Sequence, residues 1–235
     1  MKTLRTIGRL ALYLLGLLII AVGINVSKLS ALGISPVSSI PGVLNARFPD
    51  VSLGSMVIIV YCLLVLAQAI VLRRRFQWRN VLGVPVALVF GLMVDFVGVA
   101  SFKLTLAGIP LGIETEFHGL LEGFPAPAGL VMQFVYLAAS ILIIGIGVFV
   151  YLRPKLVPMP AEGLAAALAQ TSGKKFGNCK TAVDVSLILI AAVLQVVLLG
   201  GFGTLWIGKG VVGIGTILAA VCVGQVVKLL NKIFK

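Results

Sequence analysis

The sequence predicts an all-α integral membrane protein: six transmembrane helices arranged as two inverted three-helix repeats, each with a short broken or re-entrant helix. Three observations predict it. Hydrophobic residues fill 60% of 235 positions, only 11% are charged, and the mean hydropathy is +1.17. A soluble chain of this length has too little interior to hide so much apolar surface. Six segments are apolar over roughly the 20 residues that about 30 Å of hydrocarbon requires. Two proline-led stretches, 33–48 (GISPVSSIPGVLNARF) and 157–176 (VPMPAEGLAAALAQTSGKKF), stand at matching places between those segments.

The first span is expected near 8–27. A basic start followed by an apolar stretch also begins a signal peptide, but this stretch outruns an h-region and no clear small-x-small site follows at Ala21–Val26, so an uncleaved span is expected. The stretch 33–48 reads as a short helix opened by Pro36 and closed by Phe48; proline at a first helical position loses no hydrogen bond. Spans follow near 54–72 and 81–101. In the external connection 102–128, EFHGLLEGF is expected to form a short amphipathic helix. His118 with Glu114, Glu116 and Glu122 is too weak a donor set for a metal site to be expected. The second half repeats the plan, with a span near 129–151, a short helix opened by Pro160 and closed by Phe176, and spans near 182–200 and 211–230. The expected divisions are a first membrane repeat (1–101), the external connection (102–128) and a second repeat (129–235).

Duplication has a further mark. LGVPVALVFGLMVDF (82–96) lies over VGIGTILAAVCVGQV (212–226) at a constant offset, pairing Gly83 with Gly213 and Asp95 with Gln225. Three spans per half is an odd number, so the halves cross in opposite senses, as recurs in secondary transporters.

The net charge of +12 is distributed as topology requires. With the N-terminus inside, the inner segments hold Lys2, Arg5, Arg9, Arg73, Arg74, Arg75, Arg79, Arg153, Lys155, Lys174, Lys175, Lys180, Lys228, Lys232 and Lys235, and the outer ones Lys28, Arg47, Lys103 and Lys209. That bias places both termini in the cytoplasm. It also excludes nucleic acid as the reason for the charge, since no basic stretch is interleaved with aromatics; anionic lipid is the expected contact.

The chain resembles the YczE/YyaS/YitT group of bacterial membrane proteins, in order, from about 8 to 230. The resemblance rests on LGISPVSSIPGVL, PMPAEGLAAAL, Lys180 with Asp184, Gly200–Gly201 and VGIGT (212–216). The group's first site usually reads like G-x-x-P-W-[DT], where this chain has Pro-Val-Ser-Ser from Pro36. The second usually reads G-P-R-[DE]-G, where this chain has Met-Pro-Ala-Glu-Gly, so Ala161 replaces an expected arginine. The resemblance implies a multi-span inner-membrane protein of suggested transport role and no established substrate.

A helix that starts partway through a membrane leaves N–H groups without internal partners and turns about half a positive charge toward whatever faces it. Ser35, Pro36, Ser38 and Ser39 at one start, with Pro160, Glu162 and Gly163 at the other, are the candidate substrate-binding residues. Plainer roles compete: Ser35 as an N-cap, and Glu162 as complement to its own helix dipole. Asp95, about fifteen residues into the third span and nearer its outer side, is a candidate coupling residue, a carboxylate at the headgroup boundary, or one bonded to a neighbouring helix. Lys180 and Asp184, four apart, share a helical face and pair structurally or meet substrate. Asn25, Gln133, Gln195 and Gln225 line a cavity or join helices. Trp78 and Trp206 read as interfacial anchors, and the odd, scattered Cys62, Cys179 and Cys222 give no disulfide framework.

No enzyme signature occurs: there is no GxSxG, HExxH or P-loop. The expected function is secondary transport of a small, preferably anionic solute across the bacterial plasma membrane by alternating access, with no cofactor. The expected partners are the bilayer, a small-molecule or ion substrate, and, as an alternative to packing within the chain, a second copy. A channel, or a non-transporting subunit that assembles or regulates a partner protein, are the competing readings.

Overall fold

The computed structural model describes residues 2–98, 119–200 and 211–234, together with four two-residue strands between 102 and 117. In chain order the helices are α1 (Lys2–Ser30), α2 (Pro36–Arg47), α3 (Leu53–Leu72), α4 (Trp78–Val81), α5 (Gly83–Val97), α6 (Gly129–Leu152), α7 (Pro160–Ser172), α8 (Phe176–Leu199) and α9 (Ile214–Ile233). Six helical segments are long and apolar enough to cross a membrane, as expected of a multi-pass membrane protein: Thr6–Ser30, Leu53–Arg75, Trp78–Val97, Gly129–Leu152, Phe176–Leu199 and Ile214–Ile233.

Without a hydrophobic force between helices in lipid, close approach needs small residues at the contacts. The crossing of α1 and α6 shows this. A Cβ on Gly16 would lie 2.5 Å from the Tyr151 nitrogen, one on Gly147 would lie 2.8 Å from the Ile20 nitrogen, and one on Gly23 would lie 3.0 Å from the Ile144 nitrogen. As the α1 number rises the α6 number falls, so the two helices are antiparallel. Gly145 sits against Val226 and Gly215 against Leu137, so α9 runs parallel to α6. Gly54 abuts Gly91 and Asp95, and Gly83 faces Val65, which makes α3 and α5 antiparallel. Around this frame α2 packs on α8 and α3, α7 packs on α3 and α8, and α5 packs on α1. The largest core cluster joins Leu17, Ile24, Val57, Tyr61, Phe90 and Tyr151, and reaches both short helices through Val37, Ile40, Ala161 and Ala165. Arg153 on the end of α6 donates to the Phe234 carbonyl at 2.8 Å.

Two expectations are corrected. Phe176 opens α8 rather than closing the second short helix; α7 ends at Ser172, where Gly173 takes a left-handed φ of 69° and its N–H reaches the Ala169 carbonyl. Lys180 and Asp184 lie in the first part of α8. EFHGLLEGF is not a helix: Phe102–Lys103 pairs with Glu116–Phe117 as a short antiparallel ladder, and a turn covers Leu120–Gly123. The N–H groups of Leu120 and Leu121 donate to the Phe96 and Val97 carbonyls instead, at 3.1 and 3.3 Å. They satisfy acceptors that the end of α5 leaves orphaned. A second ladder pairs Thr105–Leu106 with Ile109–Pro110, so the regular structure of the described residues is helical apart from these short strands. Glu114, His118 and Trp206 lie outside the described residues, and nothing is described of the side chain of Glu116.

Candidate functional site

Both short helices begin with buried residues; a glutamine from a long span fastens the start of α7, and another fastens the segment that lies beside the start of α2. Gln68 on α3 donates to the Pro160 carbonyl at 2.9 Å. Gly163 makes room for that reach, since a Cβ there would lie 2.7 Å from Gln68 Oε1. Gln195 on α8 brackets Val212, donating to its carbonyl at 3.1 Å and accepting from its N–H at 2.7 Å. The segment so held lies beside the start of α2: Ile34 N–H donates to the Val211 carbonyl at 3.0 Å, and Gly215 N–H to the Leu32 carbonyl at 2.9 Å. Gly33 is required in this junction. Its φ is 128°, and a Cβ would lie 2.5 Å from Thr216 Oγ1.

At the α2 start, Ser35 occupies the N-cap position, but its side chain makes no capping bond. Ser39 Oγ donates to the Pro36 carbonyl at 2.6 Å and is spent within the helix. Ser38 differs: it is fully buried and its Oγ has no hydrogen-bond partner. The first turn of α2 carries no acidic residue.

At the α7 start, Pro160 is the first helical residue and Glu162 the third. The Met159 N–H donates to the Glu162 carboxylate, one half of a capping box, with no bond from the Met159 side chain in return. Oε2 nevertheless remains buried without a hydrogen-bond partner. Burial pushes this carboxyl up to about 7, against the opposing pull of Lys180 and of the Met159 N–H. Lys180 Nζ holds Asp184 Oδ1 at 2.6 Å, both half-buried. Tyr13 and Tyr61 lie in the electrostatic reach of Glu162, and Tyr13 Oη donates to the Val157 carbonyl at 2.8 Å. Tyr151, edge-on to Tyr13, has a buried hydroxyl without a partner. A cavity of about 100 Å³ runs from Arg79, Asn80 and Gln170 to Gln68 and Gly163.

Asp95 is not part of either start. Its Oδ2 accepts from Ser52 Oγ at 2.6 Å and its Oδ1 from the Gly54 N–H at 2.6 Å, with a further backbone bond from Ser55. A carboxylate on α5 thus caps the N-terminus of α3, satisfying amides that helix leaves open and meeting its positive pole. Asn25 binds α1 to α5, donating to the Ala21 and Val94 carbonyls, both at 3.0 Å. Gln133 is half-buried on α6, while Gln225 is exposed on α9 and does not share the surroundings of its sequence partner Asp95. Sequence reasoning missed Gln68, although its spacing of 127 from Gln195 matches the period of the proposed repeat. It also missed the three tyrosines, whose hydroxyls are invisible to hydropathy.

A family model described as a family of unknown function, DUF6198, matches residues 7–232. The chain is 24% identical over 212 residues to the uncharacterized protein YyaS of Bacillus subtilis, covering 90% of this chain and 86% of that one. No solved structure matches.

Proposed function

We propose, for a chain that belongs to the DUF6198 family of unknown function, secondary transport of a small solute with an anionic group across the bacterial plasma membrane. One observation carries the reading. Two proline-opened helices begin with buried residues, and the third residue of each, Ser38 and Glu162, holds a buried oxygen with no protein partner. Buried polar atoms are almost always paired, so two exceptions at matching positions call for a ligand. The α2 start, free of acids, suits an anionic group; the α7 start already holds a carboxylate.

The packing supports an inverted repeat. Exchanging the halves turns the α2–α8 contact into α7–α3, α1–α5 into α6–α9, and α2–α3 into α7–α8, all of which occur. The leading helices α1 and α6 are antiparallel, and each half has three spans, the plan on which alternating access is built. The basic residues beside the start of α1 and the end of α9 support cytoplasmic termini.

The test uses the purified full chain. Thermal-shift screening against small carboxylates, phosphate and other anions is expected to give a concentration-dependent rise in melting temperature that Ser38→Val abolishes, and proteoliposomes to show saturable counterflow of the same compound. No stabilising anion and no flux from the chain alone would refute transport and leave the partner-dependent subunit.

A further inference from the structure

Three ionisable side chains meet beside the α7 start, and their charges do not balance. Glu162 and Asp184 bring two carboxylates, and Lys180, paired with Asp184, lies within electrostatic reach of Glu162. Lys180 is committed to Asp184 at 2.6 Å, so Glu162 Oε2 is enclosed without a partner. A buried, unpaired charge is costly, and the cheapest remedy is a bound proton, which turns the acceptor into a neutral hydroxyl. A metal cation does not fit: hard cations need several oxygens, whereas here one oxygen is free and a Met159 N–H and an ammonium stand beside it. The other groups facing Glu162 are Tyr13 from α1 and Tyr61 from α3; Arg79 of α4 lines the cavity, and Cys179 on α8 faces the far end of α7 through Ser172. That cavity reaches from exposed Arg79 and Gln170 to Gly163, the residue that follows Glu162.

We propose that Glu162, tuned by the Lys180–Asp184 pair, is a proton-binding site, and, resting on the transport reading above, that it rather than Asp95 carries the coupling ion. One proton passes from water to Glu162 Oε2, taking the three-residue cluster from net −1 to neutral. Asp95 lacks the vacancy such a carrier needs, because three donors already fill it.

The experiment is an infrared pH titration of the purified full chain in lipid nanodiscs, read at the protonated-carboxyl stretch. The expected band titrates near neutral pH, is lost in Glu162→Gln and survives in Asp95→Asn. Asp184→Asn, which frees Lys180 for Glu162, moves the midpoint to lower pH; Lys180→Met moves it to higher pH. The last two variants read the site without altering Glu162. A band that persists in Glu162→Gln, disappears in Asp95→Asn, or ignores both Asp184→Asn and Lys180→Met overturns the assignment. Solute flux is measured separately. A Glu162 titration in a chain without flux refutes the transport reading and the coupling role while supporting the proton site.

Discussion

Asp95→Ala is expected to destabilise the protein by about 2–5 kcal/mol, because it strands the buried Gly54 N–H and takes an acceptor from Ser52 Oγ, which is left with Ser55 Oγ alone. Ser52 Oγ and the Gly54 N–H both donate to this side chain at 2.6 Å, and Asp95 is only 7% exposed. Leaving a buried donor unmet costs about 1–3 kcal/mol, and the cap also meets the positive pole of α3. Asp95→Asn keeps one acceptor oxygen for Gly54 but places an amide where Ser52 donates, so about half the loss is expected. Reversible unfolding in mixed detergent micelles, followed by circular dichroism, measures the difference. Asp95→Ala within about 0.5 kcal/mol of the parent would refute the capping argument. A stable Asp95→Asn that had lost all ion coupling would return that role to Asp95.

Three further outcomes follow from other contacts. Gly16→Ala is expected to cost about 1–3 kcal/mol in the same unfolding assay, because the new Cβ would meet Tyr151 backbone at 2.5 Å, whereas Gly8→Ala, with nothing within 4 Å, is expected to be neutral or slightly stabilising. Gln195→Leu strands both polar groups of Val212, at about 1–3 kcal/mol each, and is expected to destabilise more than Gln68→Leu, which removes only an additional bond from the Pro160 carbonyl at the first position of α7. Glu162 makes stability depend on pH: its carboxyl is raised from 4.5 to about 7, so the folded chain keeps a proton that the unfolded chain has released. The melting temperature is therefore expected to fall as pH climbs through that interval, and Glu162→Gln to flatten the slope.

Length and polarity of the elements were legible in the chain because they are local properties. A run of about 20 apolar residues reads as a span whatever it packs against, and Pro36 and Pro160 marked helix starts because a proline ring is compatible with a first turn and costly in an interior. The external connection was misread for a tertiary reason. EFHGLLEGF has an amphipathic spacing, yet its backbone is drawn onto the open carbonyls of α5. The end of α8 and the segment to α9 needed Gln195, whose partner lies 17 residues on.

Composition, periodicity and charge by themselves determined that the chain is a helical membrane protein, how many spans it has, and where two short helices interrupt them, since each follows from the cost of placing unpaired backbone or charge in hydrocarbon. Only the tertiary structure decided which polar side chains are spent and which are free. Asp95, Glu162 and Ser38 look alike in sequence, each a polar residue among apolar ones. The amides of α3 saturate Asp95, while nothing in the protein meets Ser38 Oγ or Glu162 Oε2. A hydrogen-bond partner 41 residues away is a property of packing, and packing is where a buried oxygen becomes either a brace or a binding site.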